Sequence, residues 1–129
     1  MIDNLMNLPD WTPETATVEL PRLDMRWTLR ELSYDTLARV RREKEADLHL
    51  ILEATVTPDN LRSDGWYHGK MGCATPVDAL KKLLRPGEIT RMCRVIDKLN
   101  GFYGSVLELS EDELQGQAIA KAAEELEKN

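Results

Sequence analysis

At 129 residues the chain has the length of one domain, enough to bury roughly two thirds of its unfolded surface around a single modest core. Apolar residues make up 42% but aromatic ones only 5%, so Leu, Ile, Val, Met and Ala must build that core, a composition that favours helices. A formal charge of −6 lacks the Lys and Arg surplus that phosphate neutralisation needs and argues against nucleic acid as a partner.

Residues 1–14 mix Leu5, Met6 and Leu8 with Asn, Asp and two prolines and sustain no period. They read as an arm that is loosely held or docked on something else. The opening MIDNLMNLPDW carries acids where a secretory signal carries bases, and no apolar run approaches the roughly 18 residues of a membrane span. The expectation is a protein that stays where it is made and contacts no membrane.

From Thr15 the texture changes to period two. Val18 and Leu20 alternate with Thr17 and Glu19, then Met25, Trp27 and Leu29 with Arg26, Thr28 and Arg30, which predicts two strands. The intervening PRLD is short enough for a hairpin, with Pro21 confined to an edge or a strand end because it has no N–H to donate.

Ser33 can cap a helix in which Leu37, Val40 and the stem of Lys44 form a narrow apolar stripe. The run EADLHLILEATV places Leu48, Leu50, Ile51, Leu52 and Val56 on several faces and reads as a central core helix. The alternation at Leu48, Leu50 and Leu52 would also suit a strand. Thr57-Pro58-Asp59 should stop either element.

Residues 60–74, NLRSDGWYHGKMGCA, hold three glycines and no apolar repeat, which predicts a long loop. Thr75-Pro76 then supplies an N-cap with proline at the first helical position, and Val77, Leu80, Leu83 and Leu84 follow at helical spacing. Pro86-Gly87 ends that helix. Ile89, Met92, Cys93, Ile96 and Leu99 share one face of the next, which Gly101 terminates as a left-handed residue would.

The last stretch, SEDELQGQAIAKAAEELEKN, opens with Ser110 and Glu113 in capping-box positions. Its thin apolar stripe, Leu114, Ala118, Ile119, Ala122 and Leu126, is the candidate partner-binding surface. Ala gains little from burial and Gly116 costs about 1 kcal/mol in a helix interior, so this helix should depend on a partner. The fold class expected is mainly α: a small helical domain of about five helices with a short N-terminal β-hairpin. It divides into an arm (1–14), a hairpin plus helical core (15–109) and a C-terminal amphipathic helix (110–129).

No group stands out for covalent chemistry. Cys73 and Cys93 are far apart and share no ligand spacing with His49 or His68, so they read as free thiols with no metal site. Gly65, Gly69 and Gly72 lack the leading strand and the Gly-Lys-Ser/Thr of a phosphate loop. The acids Glu111-Asp112-Glu113 and Glu124-Glu125 look solvated, and Arg39, Arg41, Arg42 and Lys44 are offset by nearby acids. No catalytic residue, cofactor or metal is expected.

Three quoted blocks, TVTPDN with its aromatic-containing glycine loop, ALKKLLRPGEITRMCRVIDKLNGF, and the closing AAEELEKN, together resemble the XkdN-like tail assembly chaperones of long-tailed phages and defective prophages. The resemblance runs from about Leu50 to Asn129, with a weaker echo in the hairpin and WTLREL. It implies that Pro58 and Asp59 stop a core helix, that Pro86, Gly87 and Glu88 make a corner, and that Gly101 and Phe102 close the following helix. All are fold markers. The longer NLRSDGWYHGKMGCAT loop, residues 60–75, and the YGSVLELSED linker depart from the family pattern.

The resemblance further implies a protein of the host cytoplasm that binds the tape measure protein, keeps its long hydrophobic helices soluble, helps recruit the major tail tube protein, and is lost before the virion is finished. Self-association into a homo-oligomer is compatible with that role. The competing expectation is a structural tail or head-completion component retained in the particle. Members of the wider group often come in two lengths through a −1 frameshift, and Glu127-Lys128-Asn129 can be encoded with the slippery run A-AAA-AAC.

Overall fold

The computed structural model describes residues 2–115. The hairpin forms as its period predicts: β1 (Thr15–Leu20) and β2 (Met25–Arg30) pair antiparallel in continuous register from Thr15↔Arg30 to Leu20↔Met25. Pro21 opens the 3-10 turn Pro21–Leu23, beyond the strand end, where a missing N–H costs no ladder bond. Asp24 completes the reversal in the left-handed region, φ 51°, which Asp tolerates better than most side chains.

Leu20, Trp27 and Leu29 are buried under the helices, while Thr17, Glu19 and Arg26 stay exposed. On this wet face Arg26 Nε donates to the cross-strand Glu19 carboxylate at 3.3 Å, and the Thr17 and Thr28 hydroxyls lie 3.1 Å apart. The sheet is thus covered on one side only, as antiparallel sheets commonly are.

Four α-helices of eight residues or more are described: α1 (Tyr34–Arg41), α2 (Ala46–Ala54), α3 (Pro76–Leu83) and α4 (Pro86–Leu99). Ser33 Oγ caps α1 by accepting from the Thr36 N–H at 3.3 Å, and Thr75 Oγ1 caps α3 through the Asp78 N–H at 3.1 Å. α2 is the central helix. It buries Leu48, Leu50, Ile51, Leu52 and Ala54 and packs against α1, α3, α4 and β2. The helical reading of this run holds and the strand alternative falls.

The fold class expected from sequence is corrected. Over the described residues the fold is mixed α/β, 50% helical and 13% strand, because β3 (Thr55–Thr57) extends the hairpin to a three-stranded antiparallel sheet in the order β1-β2-β3. α2 ends at Ala54, before the Pro58 stop, and passes directly into the strand. The cause is local: Thr55, Val56 and Thr57 are all β-branched, stiff at χ1 and suited to a pleated surface. The buried edge of β2 supplies the partner, with Thr28↔Thr57 and Leu29↔Thr55 opposed across a register shift.

Trp27, fully buried, ties the layers together. Its Nε1 donates to Thr55 Oγ1 at 2.8 Å, and that hydroxyl donates to the Ile51 carbonyl at 2.6 Å. One threonine therefore joins the sheet to the last turn of α2. The 60–74 segment also differs from a plain loop. Leu61 is buried, Trp66 packs against the core, and Gly65–Lys70 winds into a π-helical turn that the Met71 N–H closes on the Trp66 carbonyl at 2.9 Å. A π turn has no apolar repeat by which to announce itself.

Gly101 ends α4 as expected. With φ 87°, its N–H donates to the Lys98 carbonyl and the Phe102 N–H to the Asp97 carbonyl, both at 3.1 Å, the pair of bonds that defines a Schellman ending. A β-carbon here would lie 2.7 Å from Ser105 Oγ. Gly101→Ala is expected to cost about 1–2 kcal/mol, read as a lower urea midpoint. Thr55→Val, close in shape, strands the buried Trp27 N–H, with an expected loss of about 1–3 kcal/mol and a changed near-ultraviolet tryptophan signal.

Candidate functional site

The corner between α3 and α4 is held from outside by the hairpin turn. Arg22 Nη2 donates to the Leu83 carbonyl and to Glu88 Oε1, each at 2.7 Å, and Arg22 Nε reaches Glu88 Oε2 at 3.3 Å. Glu88 Oε1 also accepts from the Arg85 N–H at 2.8 Å, the N-terminal bond of α4. A forked guanidinium on a carboxylate fixes orientation as well as distance. β1 and α4 are thereby set side by side, with Pro86 at the first position of α4, where its lack of an N–H is harmless.

Between them runs an open groove of about 810 Å³. Leu20 and Met92, both buried, and the half-buried Val18 and Val95 form its floor. The end of β1, Val18 to Leu20, and Pro21 of the following turn line one wall, so the groove follows the strand, and no other strand of the described residues pairs with the open edge of β1. A second hollow continues past Ala16 and Leu99 toward Glu14 and Tyr103.

The rim of the groove is basic although the molecule is acidic. Arg85, Arg91, Arg94 and Lys98 line it together with Glu19 and Glu88. Both acids are already matched by cations outside the groove, Glu19 by Arg26 and Glu88 by Arg22. None of the four basic residues forms an ion pair among the described residues. An apolar floor under a rim richer in bases than in acids suits an amphipathic segment that turns its apolar side inward and acids outward.

Sequence reasoning missed this groove. The signal was present: Arg91, Arg94 and Lys98 stand at i, i+3 and i+7, one exposed stripe beside the buried face of Met92, Cys93 and Ile96. The pairing of Glu88 with Arg22, 66 residues apart, is a tertiary fact with no local trace. Of the partner-binding residues expected from sequence, Leu114 is half exposed. Ala118, Ile119, Ala122 and Leu126 lie outside the described residues, as does most of the expected C-terminal helix. The capping box that opens it does form, with the Glu113 N–H on Ser110 Oγ at 3.1 Å and the Ser110 N–H on Glu113 Oε2 at 3.2 Å.

Among the described residues no three His, Cys, Asp or Glu side chains are grouped as metal ligands would be. Cys93 is buried with Sγ 3.5 Å from the Asp47 carbonyl, and burial, aided by Asp47 and Asp97, pushes its thiol up to about 12. Cys73 Sγ is spent on the Met71 carbonyl at 3.4 Å, and His68 is exposed. Glu53 is half-buried, which opposes its charge, but Arg39 at 3.2 Å and Arg62 at 3.0 Å outweigh this and hold it below the ordinary carboxylate range.

Among the described residues no helix is long and apolar enough to cross a membrane. A family model described as Phage XkdN-like tail assembly chaperone protein matches residues 43–115, 73 of the 129. It covers α2 through α4 and leaves the hairpin and the arm outside. No curated protein and no solved structure matches the chain.

The clamp carries a pH dependence. The Arg22 guanidinium, then the Arg85 N–H, hold the Glu88 carboxyl below its usual value. A carboxyl depressed in the folded state contributes stability above its unfolded pKa of about 4.3, and loses it as pH falls through the folded value. Glu45, bonded to Lys81, is shifted the same way. Urea unfolding at neutral pH and near pH 3.5 should show a stability gap, and Glu88→Gln should narrow it.

Proposed function

The chain belongs to the XkdN-like phage tail assembly chaperones, and from that premise we propose that it binds the tape measure protein, keeps that chain dispersed and helps recruit major tail tube subunits. The β1/α4 groove is the surface that first takes the partner. The single observation that carries this reading is the pairing of an apolar floor with Arg91, Arg94 and Lys98, none of them in an ion pair among the described residues, in a protein of net charge −6.

A tape measure protein is a long chain with apolar helical stripes. Its amphipathic segments, where flanked by acids, match the groove in both respects, and the i, i+3, i+4 anchors of such a helix are what an elongated apolar cleft recognises. The C-terminal stripe at Leu114, Ala118, Ile119, Ala122 and Leu126 supplies a second contact for the same partner. Two weak contacts on one chain raise each other's effective concentration, so neither needs high affinity alone. The role is non-covalent, in the host cytoplasm where the tail is built.

Co-expression with the tape measure protein encoded beside it tests the reading. The wild-type chain should raise the partner's soluble yield and co-purify with it, and Arg91→Glu combined with Arg94→Glu should weaken that association by roughly tenfold or more. No gain in solubility and no co-purification would remove the proposal, as would recovery of the chain in stoichiometric amount from finished virions.

A further inference from the structure

The arm ahead of β1 is apolar and covered by nothing described. Leu5 is 83% exposed, Met6 88% and Trp11 66%, with Ile2 and Leu8 also open. The arm has local order, since Asn4 Oδ1 accepts from the Met6 N–H at 2.9 Å and the Leu8 N–H closes on Leu5 at 3.3 Å. Among the described residues its hydrogen bonds up to residue 13 are all internal. Glu14 is the first residue tied to the body, through its N–H to the Glu31 carboxylate at 2.8 Å and its carbonyl to the Glu31 N–H at 2.9 Å. Five large apolar side chains within ten residues form a patch that ordinarily marks an interface.

The charge of this arm is the inverse of the groove's. Asp3, Asp10 and Glu14 are its charged side chains, and no Lys or Arg precedes Arg22. We propose that in the free protein the β1/α4 groove is occupied by the arm of a second copy, residues 2–11, each molecule giving its arm and receiving its partner's. The apolar residues cover the floor of Val18, Leu20, Met92 and Val95, and Asp3 and Asp10 meet the Arg91, Arg94 and Lys98 stripe.

Exchange between copies is favoured over folding back by the direction of the chain. The arm leaves the body at Glu14, which lines the second hollow, at the end of β1 opposite to Leu20 and Pro21 of its own groove. Pro9 and Pro13 bias Leu8 and Thr12 to extended backbone, and Leu8 has φ −70° and ψ 144°. A return over β1 would need a tight reversal at these residues. Reciprocal exchange also closes on itself: two arms fill two grooves, leaving no free valence, as a two-fold dimer requires.

This inference uses the groove proposed for the tape measure protein and goes beyond that reading, because an exchanged arm occupies the site until a stronger ligand displaces it. The test uses the full chain, as an equal mixture of heavy-isotope-labelled and unlabelled protein treated with a zero-length carbodiimide. Expected are amide links from Asp3 or Asp10 to Lys98 that join heavy to light copies, and a concentration-dependent dimer by light scattering. Arg91→Glu with Arg94→Glu, and separately Asp3→Lys with Asp10→Lys, should each weaken the dimer by roughly tenfold or more, and mixing the two variants should restore a heterodimer.

Links confined to single copies would overturn the exchange, as would a monomer at all accessible concentrations or a dimer indifferent to both charge reversals. The outcome is separable from partner capture: mixed-isotope links together with failed tape measure co-purification would leave the exchanged dimer standing and remove only the functional assignment.

Discussion

The fork between Arg22 and Glu88 is the contact on which the rest of the geometry depends. Glu88 closes the N-terminus of α4 through the Arg85 N–H, and the same carboxylate receives a guanidinium from the tip of the hairpin. Arg22 reaches one step further, to the Leu83 carbonyl left open at the end of α3. A helix end, a helix start and a strand turn are satisfied by one side chain. Because the Arg22 and Glu88 side chains are only part-covered, the clamp works chiefly by geometry, since a surface ion pair adds little stability in itself. It fixes how far β1 stands from α4, and hence whether a groove exists between them.

That spacing has an electrostatic consequence. The clamp and the Glu19–Arg26 pair neutralise the two acids beside the groove using cations that lie outside it. Arg85, Arg91, Arg94 and Lys98 remain as a positive rim on a molecule of net charge −6. A net charge of one sign repels copies at long range, while at contact distance a positive rim favours acids. With a Debye length of about 8 Å at physiological salt, the two effects operate at different ranges and coexist without cancelling.

How legible this was in the sequence varied with the length scale of the cause. Local signals read correctly: the hairpin period, the Ser33 and Thr75 caps, the Gly101 ending, and α2 as the central helix. The fold class did not, because β3 is three β-branched residues attached to a helix end, and its strand character comes from pairing with Leu29 and Thr28 of β2. The 60–74 segment hid a π turn for want of any repeat. At the candidate site the apolar half of α4 was plain, and its basic stripe was equally present in the spacing 91, 94, 98. What sequence could not supply was β1 as the opposite wall, set there by a contact across 66 residues. The family match shows the same division, covering α2 to α4 and ending short of the hairpin.

An assembly chaperone must hold its client well enough to prevent aggregation and weakly enough to surrender it. A deep, dry pocket would defeat the second need. The groove here is open, its floor a few aliphatic side chains and its rim long, flexible Arg and Lys stems whose ordering on binding costs about 0.5–1.5 kcal/mol each. For a client docked there as proposed, much of the attraction is charge-based, which speeds encounter more than it slows departure. On the proposed reading capture and release are both rapid, and a client segment that finds a better-packed place in the growing tail leaves by mass action.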